Sequence, residues 1–232
     1  MTTQNPMMSR FGPRPPSTDE ERDYYALSEH VYAAFAPFYD LVAYPLRKVR
    51  GQVATLAGTN SRSRVLDVAT GTGSQAIAFA KSAGEVVGID LSEAMLRIAR
   101  KKNRAANLKF QRADATELPF EDESFDIACV SFALHEMPDS VRERAVKEVV
   151  RVTKPNGTIV VVDYGSPPGV IGSAFFHVVK LFERDHYVEF IHSDLPALLR
   201  RAGVEVRAEH HALARAVRIL MGCPAPGKES AS

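Results

Sequence analysis

The stretch Val65 to Ala76, VLDVATGTGSQA, ends a short apolar run in a carboxylate and then sets Gly71 and Gly73 two residues apart. Gly71, Gly73 and Ala76 satisfy the G-x-G-x-x-G/A spacing that lets a backbone approach a ligand closely where a helix starts. Two chemistries fit such a loop: a pyrophosphate held on backbone amides, or a cation drawn by a nearby acid. Asp67, four positions before Gly71, separates them. A carboxylate about 4 Å from a phosphate, at an effective dielectric of about 20, is repelled by roughly 4 kcal/mol. Dehydrogenase loops normally carry an apolar residue or glycine at that position. An acid there favours a ligand that is positive at this end, or else it caps the following helix.

Two further acids stand where strands are expected to end. Asp90 closes EVVGID, where a carboxylate can accept both hydroxyls of a ribose, each charge-assisted bond contributing about 1.5–3 kcal/mol. A dinucleotide enzyme would place an acid there too. Asp114, in RADATELPF, can read an adenine edge together with the Ala115 amide, and Ser131 falls near the same crevice. S-adenosylmethionine meets these demands, because it carries an ammonium and a sulfonium in place of phosphates. His135 is the first candidate for a general base, with Glu136, Tyr164 and His177 behind it; a base is needed only where the accepting nucleophile is protonated. His135 equally suits a helix cap or the surface. Tyr32 and Tyr39 suit either a lid over the ligand or simple packing.

These residues need a scaffold that brings several strand ends to one edge. The apolar runs at 64–68, 85–90, LKFQRAD, 125–134 and TIVVVDY alternate with helical patterns at 73–82, after Ser92, and from about Asp139. Ser92 is the N-cap of EAMLRIARKKNRA. Val141, Ala145, Val149 and Val152 form one stripe, and KPNG at 154–157 closes that helix. Near-continuous apolar strands between helices specify a parallel, doubly wound α/β sheet covered on both faces. SDLPALLRRAG is a capped helix stopped by Gly203. VEVRAEHHALA and RAVRILMG lie too close for a crossover helix, so they form a hairpin with at least one antiparallel strand.

Residues 1–22, rich in Pro, Ser, Thr and charge, read as a disordered tail, and 23–55 as an N-terminal helical lid. The main domain spans 56–224, with a helical insertion at about 167–192 and a short tail at 225–232. Phe175, Phe176, Val179 and Phe182 of the insertion could line an apolar pocket, touch a membrane surface or pack in the core. Lys and Arg number 29 against 28 Asp and Glu, a net charge of +1 that makes no electrostatic case for nucleic acid. The two cysteines, Cys129 and Cys223, support neither a disulfide framework nor a metal centre. No secretory leader or run of 18 apolar residues occurs, so a cytoplasmic protein without a transmembrane segment is expected.

Taken together, VLDVATGTG, VVGIDLSEAML, ADATELPFEDESFD, VSFALHEMPD and VVRVTKPNGTIVVVDYGSP resemble the successive motifs of class I S-adenosylmethionine-dependent methyltransferases (the methyltransferase type 11 domain). The likeness is to the small-molecule branch that includes ubiquinone/menaquinone-biosynthesis C-methyltransferases, and it covers roughly 32–168. It implies a Rossmann-like seven-stranded sheet with an antiparallel C-terminal edge hairpin. It also implies a cofactor set of Asp67, Gly71, Thr72, Gly73, Asp90, Leu91, Asp114, Ala115 and Ser131, S-adenosylhomocysteine as product, and a small-molecule acceptor, with no metal. Quinone methyltransferases usually carry Leu-Arg-Asn after the fourth strand, where this chain has Leu134-His135-Glu136. A nucleotide-dependent oxidoreductase and a non-catalytic binder of the cofactor are the competing readings.

Overall fold

The computed structural model describes residues 18–26, 39–41, 43–165, 190 and 193–226. Tyr32, His177 and the apolar stripe from Phe175 to Phe182 lie outside the described residues. In chain order the elements are α1 (residues 19–26), α2 (Arg47–Leu56), β1 (Arg64–Val68), α3 (Ser74–Phe79), β2 (Glu85–Asp90), α4 (Glu93–Lys102), β3 (Leu108–Arg112) and β4 (Phe125–Ser131). They continue as α5 (Asp139–Val152), β5 (Thr153–Tyr164), α6 (Leu195–Arg201), β6 (Val204–Ala212) and β7 (Val217–Pro224).

The strands form one seven-stranded sheet in the order β3-β2-β1-β4-β5-β7-β6. The first five run parallel, and β7 runs antiparallel to both β5 and β6, as the hairpin reading requires. Side chains alternate between faces along each strand. Leu66, Val68, Ala128 and Val130 therefore pack with Val141, Ala145 and Val149 of α5 and Leu198 of α6. Val65, Ile127 and Cys129 face the other way, onto Val49 and Val53 of α2 and Phe79 of α3. Burial on both faces is why these strands read as continuous apolar runs. The chain moves outward from β1 to β3 and then returns to β4 on the other side of β1. That reversal opens a crevice beyond the carboxyl ends of the two central strands.

Four sequence boundaries shift. The helix expected at 73–82 is shorter, Ser74–Phe79. The fourth strand, expected to reach Leu134, ends at Ser131, because Phe132 takes a left-handed φ of 53° and the chain turns into a 3-10 helix at Leu134–Glu136. KPNG does not terminate the preceding helix. Val152 is its last residue, and Thr153 already pairs with Phe125; the register then jumps to Ile127 opposite Thr158, so Lys154–Gly157 is a bulge in β5 that accommodates Pro155. Helix α1 begins inside the stretch read as tail. Its Glu21 is 1 % exposed and accepts hydrogen bonds from Ser140 Oγ (2.6 Å) and Arg144 Nη1 (2.9 Å), which fasten α1 to the start of α5.

Candidate active site

The ends of β1, β2, β3 and β4 open on one cleft, roofed by Tyr24 and Tyr25 of α1 and by Tyr39. Asp90 is its best-braced acid. Its Oδ2 accepts the Gly71 N–H (2.7 Å) and its Oδ1 accepts the Ser92 N–H (2.8 Å). Burial raises its pKa, and these amides oppose the rise. Each carboxylate oxygen has two lone pairs, so Asp90 keeps acceptor capacity toward the cleft. Ser92 also caps α4, its Oγ accepting the Met95 N–H at 3.4 Å.

Asp114 follows β3. Its Oδ1 accepts both the N–H and the hydroxyl of Thr116 (2.8 Å each), a local turn that orients the carboxylate. Its Oδ2 is buried with no donor in full hydrogen-bonding geometry among the described residues, although the Tyr25 hydroxyl lies close enough to interact with this carboxylate. An acceptor left buried this way costs about 1–3 kcal/mol unless a ligand completes it. Ala115 and Leu91 line the cleft beside these acids.

The glycine loop divides its labour. Gly71 lines the cleft at φ +55°, with nothing within 4 Å of a Cβ built on it. Gly73, at φ +77°, lies against Phe110 instead; an added Cβ would stand 2.5 Å from Phe110 Cζ and 2.9 Å from Ala99 Cβ. Its absent side chain thus lets α3 start close to β3 and α4. Thr72 is buried away from the cleft and donates to Asp40 Oδ1 (2.7 Å), within a cluster completed by Ser74 and Lys102. Asp67, 0 % exposed, lies beneath the loop rather than in the cleft wall and accepts the Thr70 hydroxyl at 2.5 Å. Burial pushes its pKa up to about 7, against the pull of the Thr70 hydroxyl, the nearby Ala76 amide and Arg50. Its Oδ1 has no donor in hydrogen-bonding geometry among the described residues. Ser131 ends β4 one residue short of the wall, which Phe132 and Ala133 form.

His135 is 2 % exposed and does not line the cleft. Its Nδ1 stands 2.7 Å from Asp163 Oδ1, and its Nε2 stands 3.6 Å from Glu136 Oε1. A carboxylate can only accept, so Nδ1 carries the proton and donates to Asp163. The early end of β4 explains the displacement: His135 sits on the 3-10 turn, with its ring edge-on to Tyr164 at 4.8 Å. Glu136, next in the turn, is the side chain that reaches the cleft. Arg142 of α5 holds this turn from below. It is buried, donates to the carbonyls of Leu134 (2.8 Å) and Met137 (2.7 Å), and lies over the Phe190 ring at 4.9 Å.

Sequence reasoning missed Tyr24 and Tyr25 as cleft residues, although the YY pair just inside the expected lid was a usable signal. It also missed Phe132 and Met137, and the turn-holding role of Arg142. No sequence feature marks an arginine at the start of a helix as a ligand for carbonyls five and eight residues before it. Among the described residues no group of His, Cys, Asp and Glu is arranged to hold a metal ion, and no helix is long and apolar enough to cross a membrane.

Residues 65–157 match the protein family described as "Methyltransferase domain". The demethylmenaquinone methyltransferase of Clavibacter sepedonicus is 40 % identical over 117 residues, which are 50 % of this chain and 45 % of that protein. The demethylmenaquinone methyltransferase of Staphylococcus aureus (strain MRSA252) is 40 % identical over 133 residues, 55 % of this chain and 54 % of that protein. The chain thus spans about half the length of these curated relatives. A solved structure from Bacillus halodurans C-125, described as that of a methyltransferase, is 32 % identical with a TM-score of 0.57, and the match covers 69 % of this chain and 71 % of that one.

Proposed function

We propose, for a chain that belongs to the class I S-adenosylmethionine-dependent methyltransferases, that its cleft binds S-adenosylmethionine and directs methyl transfer to a small, apolar or aromatic acceptor. The observation that carries this reading is the pairing of Asp90 with Asp114 in one cleft, the second with a buried carboxylate oxygen that lacks a donor in full hydrogen-bonding geometry among the described residues. Asp90 suits the ribose hydroxyls, and Asp114 with the Ala115 amide suits the adenine edge. On this reading the sheet order β3-β2-β1-β4 runs past the subsites in the sequence adenine, ribose, methionine and acceptor. Gly71 supplies close backbone approach at the third. Asp67 and Thr72 support that subsite from behind the loop, Asp67 by accepting the Thr70 hydroxyl and Thr72 by donating to Asp40.

When bound, the cofactor supplies an electrophilic methyl group on a sulfonium. The residues of the chain orient the partners and exclude water, which is the greater part of what such a displacement needs. Tyr24, Tyr25 and Tyr39 cover the cleft. Glu136 stands at the β4 end, where the acceptor belongs, and can take a proton from a hydroxyl or an acidic carbon. His135, held by Asp163, is a positioning residue behind Glu136. The relatives named for demethylmenaquinone make a hydroquinone ring the first acceptor class to try. No observation favours a nicotinamide cofactor, and Asp67, beneath the glycine loop, disfavours phosphate there.

The test is calorimetric titration with S-adenosylmethionine and S-adenosylhomocysteine, against NAD(H) and NADP(H), on the wild type and on Asp114→Asn. The variant replaces the unfilled acceptor oxygen with an NH2 donor. Affinity for the first pair, reduced about tenfold or more in the variant at one lost charge-assisted bond, supports the proposal. Binding of the nicotinamide pair alone overturns it.

A further inference from the structure

A second groove lies behind the glycine loop, between α2 and α3, and its lining is predominantly cationic. Arg47, Arg50, Lys81 and Lys102 line it, with Asp40 as the one carboxylate. Asp40 is already neutralised: Lys102 Nζ donates to it at 2.6 Å, and the Thr72 and Ser74 hydroxyls add to the pair. Arg47 and Lys81 line it with no ion pair and no side-chain hydrogen bond among the described residues, while Arg50 also acts at longer range on the buried Asp67 carboxylate. Elsewhere Arg64, Lys147, Arg151 and Lys154 each meet a carboxylate. Cations gathered in one concavity, on a chain whose net charge is +1, form a local field for anions.

The rim is as informative as the floor. Leu41, beside Asp40 in the chain, is 77 % exposed, and Tyr44, which lines the groove, is 66 % exposed. The one other large hydrophobic side chain that is exposed among the described residues is Leu213, at the β6–β7 turn. A soluble phosphate ligand would account for the cations and leave Leu41 and Tyr44 without a role. An aliphatic and a tyrosine side chain placed beside unpaired Arg and Lys match the two components of interfacial binding, apolar burial and attraction to anionic headgroups.

We infer that this face docks on an anionic lipid surface, Arg47, Arg50 and Lys81 meeting headgroup phosphates while Leu41 and Tyr44 enter the interface. The inference is independent of methyl transfer, and the groove shares no lining residue with the cofactor cleft.

The experiment is co-sedimentation of the full chain with vesicles of phosphatidylcholine alone and of phosphatidylcholine mixed equally with phosphatidylglycerol, at low and at high salt. Partition to the anionic vesicles is expected, weakened by salt. It falls roughly thirtyfold in the double variant Arg47→Gln/Lys81→Gln, from the attraction each cation near an anionic surface contributes. It falls independently in Leu41→Ser/Tyr44→Ser. Thermal midpoints and S-adenosylmethionine affinity serve as controls for folding, since none of the four residues lines the cofactor cleft. Equal partition of the wild type to both vesicle types overturns the inference, as does full retention of binding in either double variant. Titration with inorganic pyrophosphate separates the remaining source: binding that the charge variant abolishes, without any vesicle binding, replaces the lipid surface with a soluble phosphate ligand.

Discussion

Asp90 Oδ2 accepts the Gly71 amide at 2.7 Å, so the end of β2 and the loop leaving β1 are one unit although they lie 19 residues apart. An acid placed for a ligand is therefore also what shapes the loop that meets the same ligand. Asp90→Ala deprives the Gly71 and Ser92 amides of their acceptor as well as removing the acid from the cleft. Its S-adenosylmethionine affinity is expected to fall by more than tenfold, with a stability loss of about 1–3 kcal/mol. Asp90→Asn keeps one acceptor and recovers part of the stability but little of the affinity. Calorimetry and urea denaturation on the two variants measure the two effects separately.

The two glycines of the loop give opposite signatures. Gly73→Ala drives a Cβ to 2.5 Å from Phe110 Cζ at a left-handed φ, so it is a stability variant that costs about 2–4 kcal/mol. Gly71→Ala meets open space and costs about 1–2 kcal/mol for its φ alone. Its methyl group stands in the cleft wall, so it loses cofactor affinity out of proportion to its stability. Equal affinity losses in both variants, after correction for the unfolded fraction, would contradict this division.

Asp67 makes the protein's stability depend on pH. Its folded-state pKa of about 7 lies above the ordinary carboxylate value of 3.8. Between those two pH values the folded state binds more protons than the unfolded one, so stability falls as pH rises through this window. The full effect, on the order of 4 kcal/mol, is reached above the folded pKa. Asp67→Asn is expected to flatten that decline. Thermal melts of both proteins from pH 4 to pH 8 give the comparison; parallel curves would rule out Asp67 as the source.

Glu136 and Asp163 predict a split between chemistry and structure. Glu136→Gln leaves the fold and the cofactor affinity intact and lowers kcat by about 10²–10⁴-fold toward acceptors with an ionisable proton. Asp163→Ala removes the acceptor for the buried His135 ring and for the His135 and Tyr164 amides. It is expected to cost about 2–4 kcal/mol of stability. A stability loss in Glu136→Gln as large as that in Asp163→Ala would erase the distinction between the two roles.

The strand runs were legible because both faces of a central parallel strand are buried. Val65–Val68, apart from Asp67, and Ile127–Val130 therefore carry a near-continuous apolar signal that locates both strands, although the end of β4 was read three residues too far. Caps made by neighbours in sequence were legible for the same local reason, as at Ser92 and Asp194, each of which accepts an amide three residues on. The hairpin of β6 and β7 followed from the shortness of the link between them.

The acids at the strand ends were visible as residue types, but their directions were not. Asp67 and Asp114 are both carboxylates that follow apolar runs; one is sealed under a loop by the Thr70 hydroxyl, while the other is turned into the cleft by Thr116. Phe132's left-handed backbone ends β4 early and carries His135 into the core against Asp163, 28 residues away, leaving Glu136 at the cleft. The sequence by itself thus determined the sheet, its parallel order and the set of acids along one edge, because hydrophobic burial and local capping act over a few residues. The tertiary structure alone decided which acid faces the cleft, which glycine packs and which cations are left without partners, because those outcomes depend on contacts between segments that the chain order does not bring together.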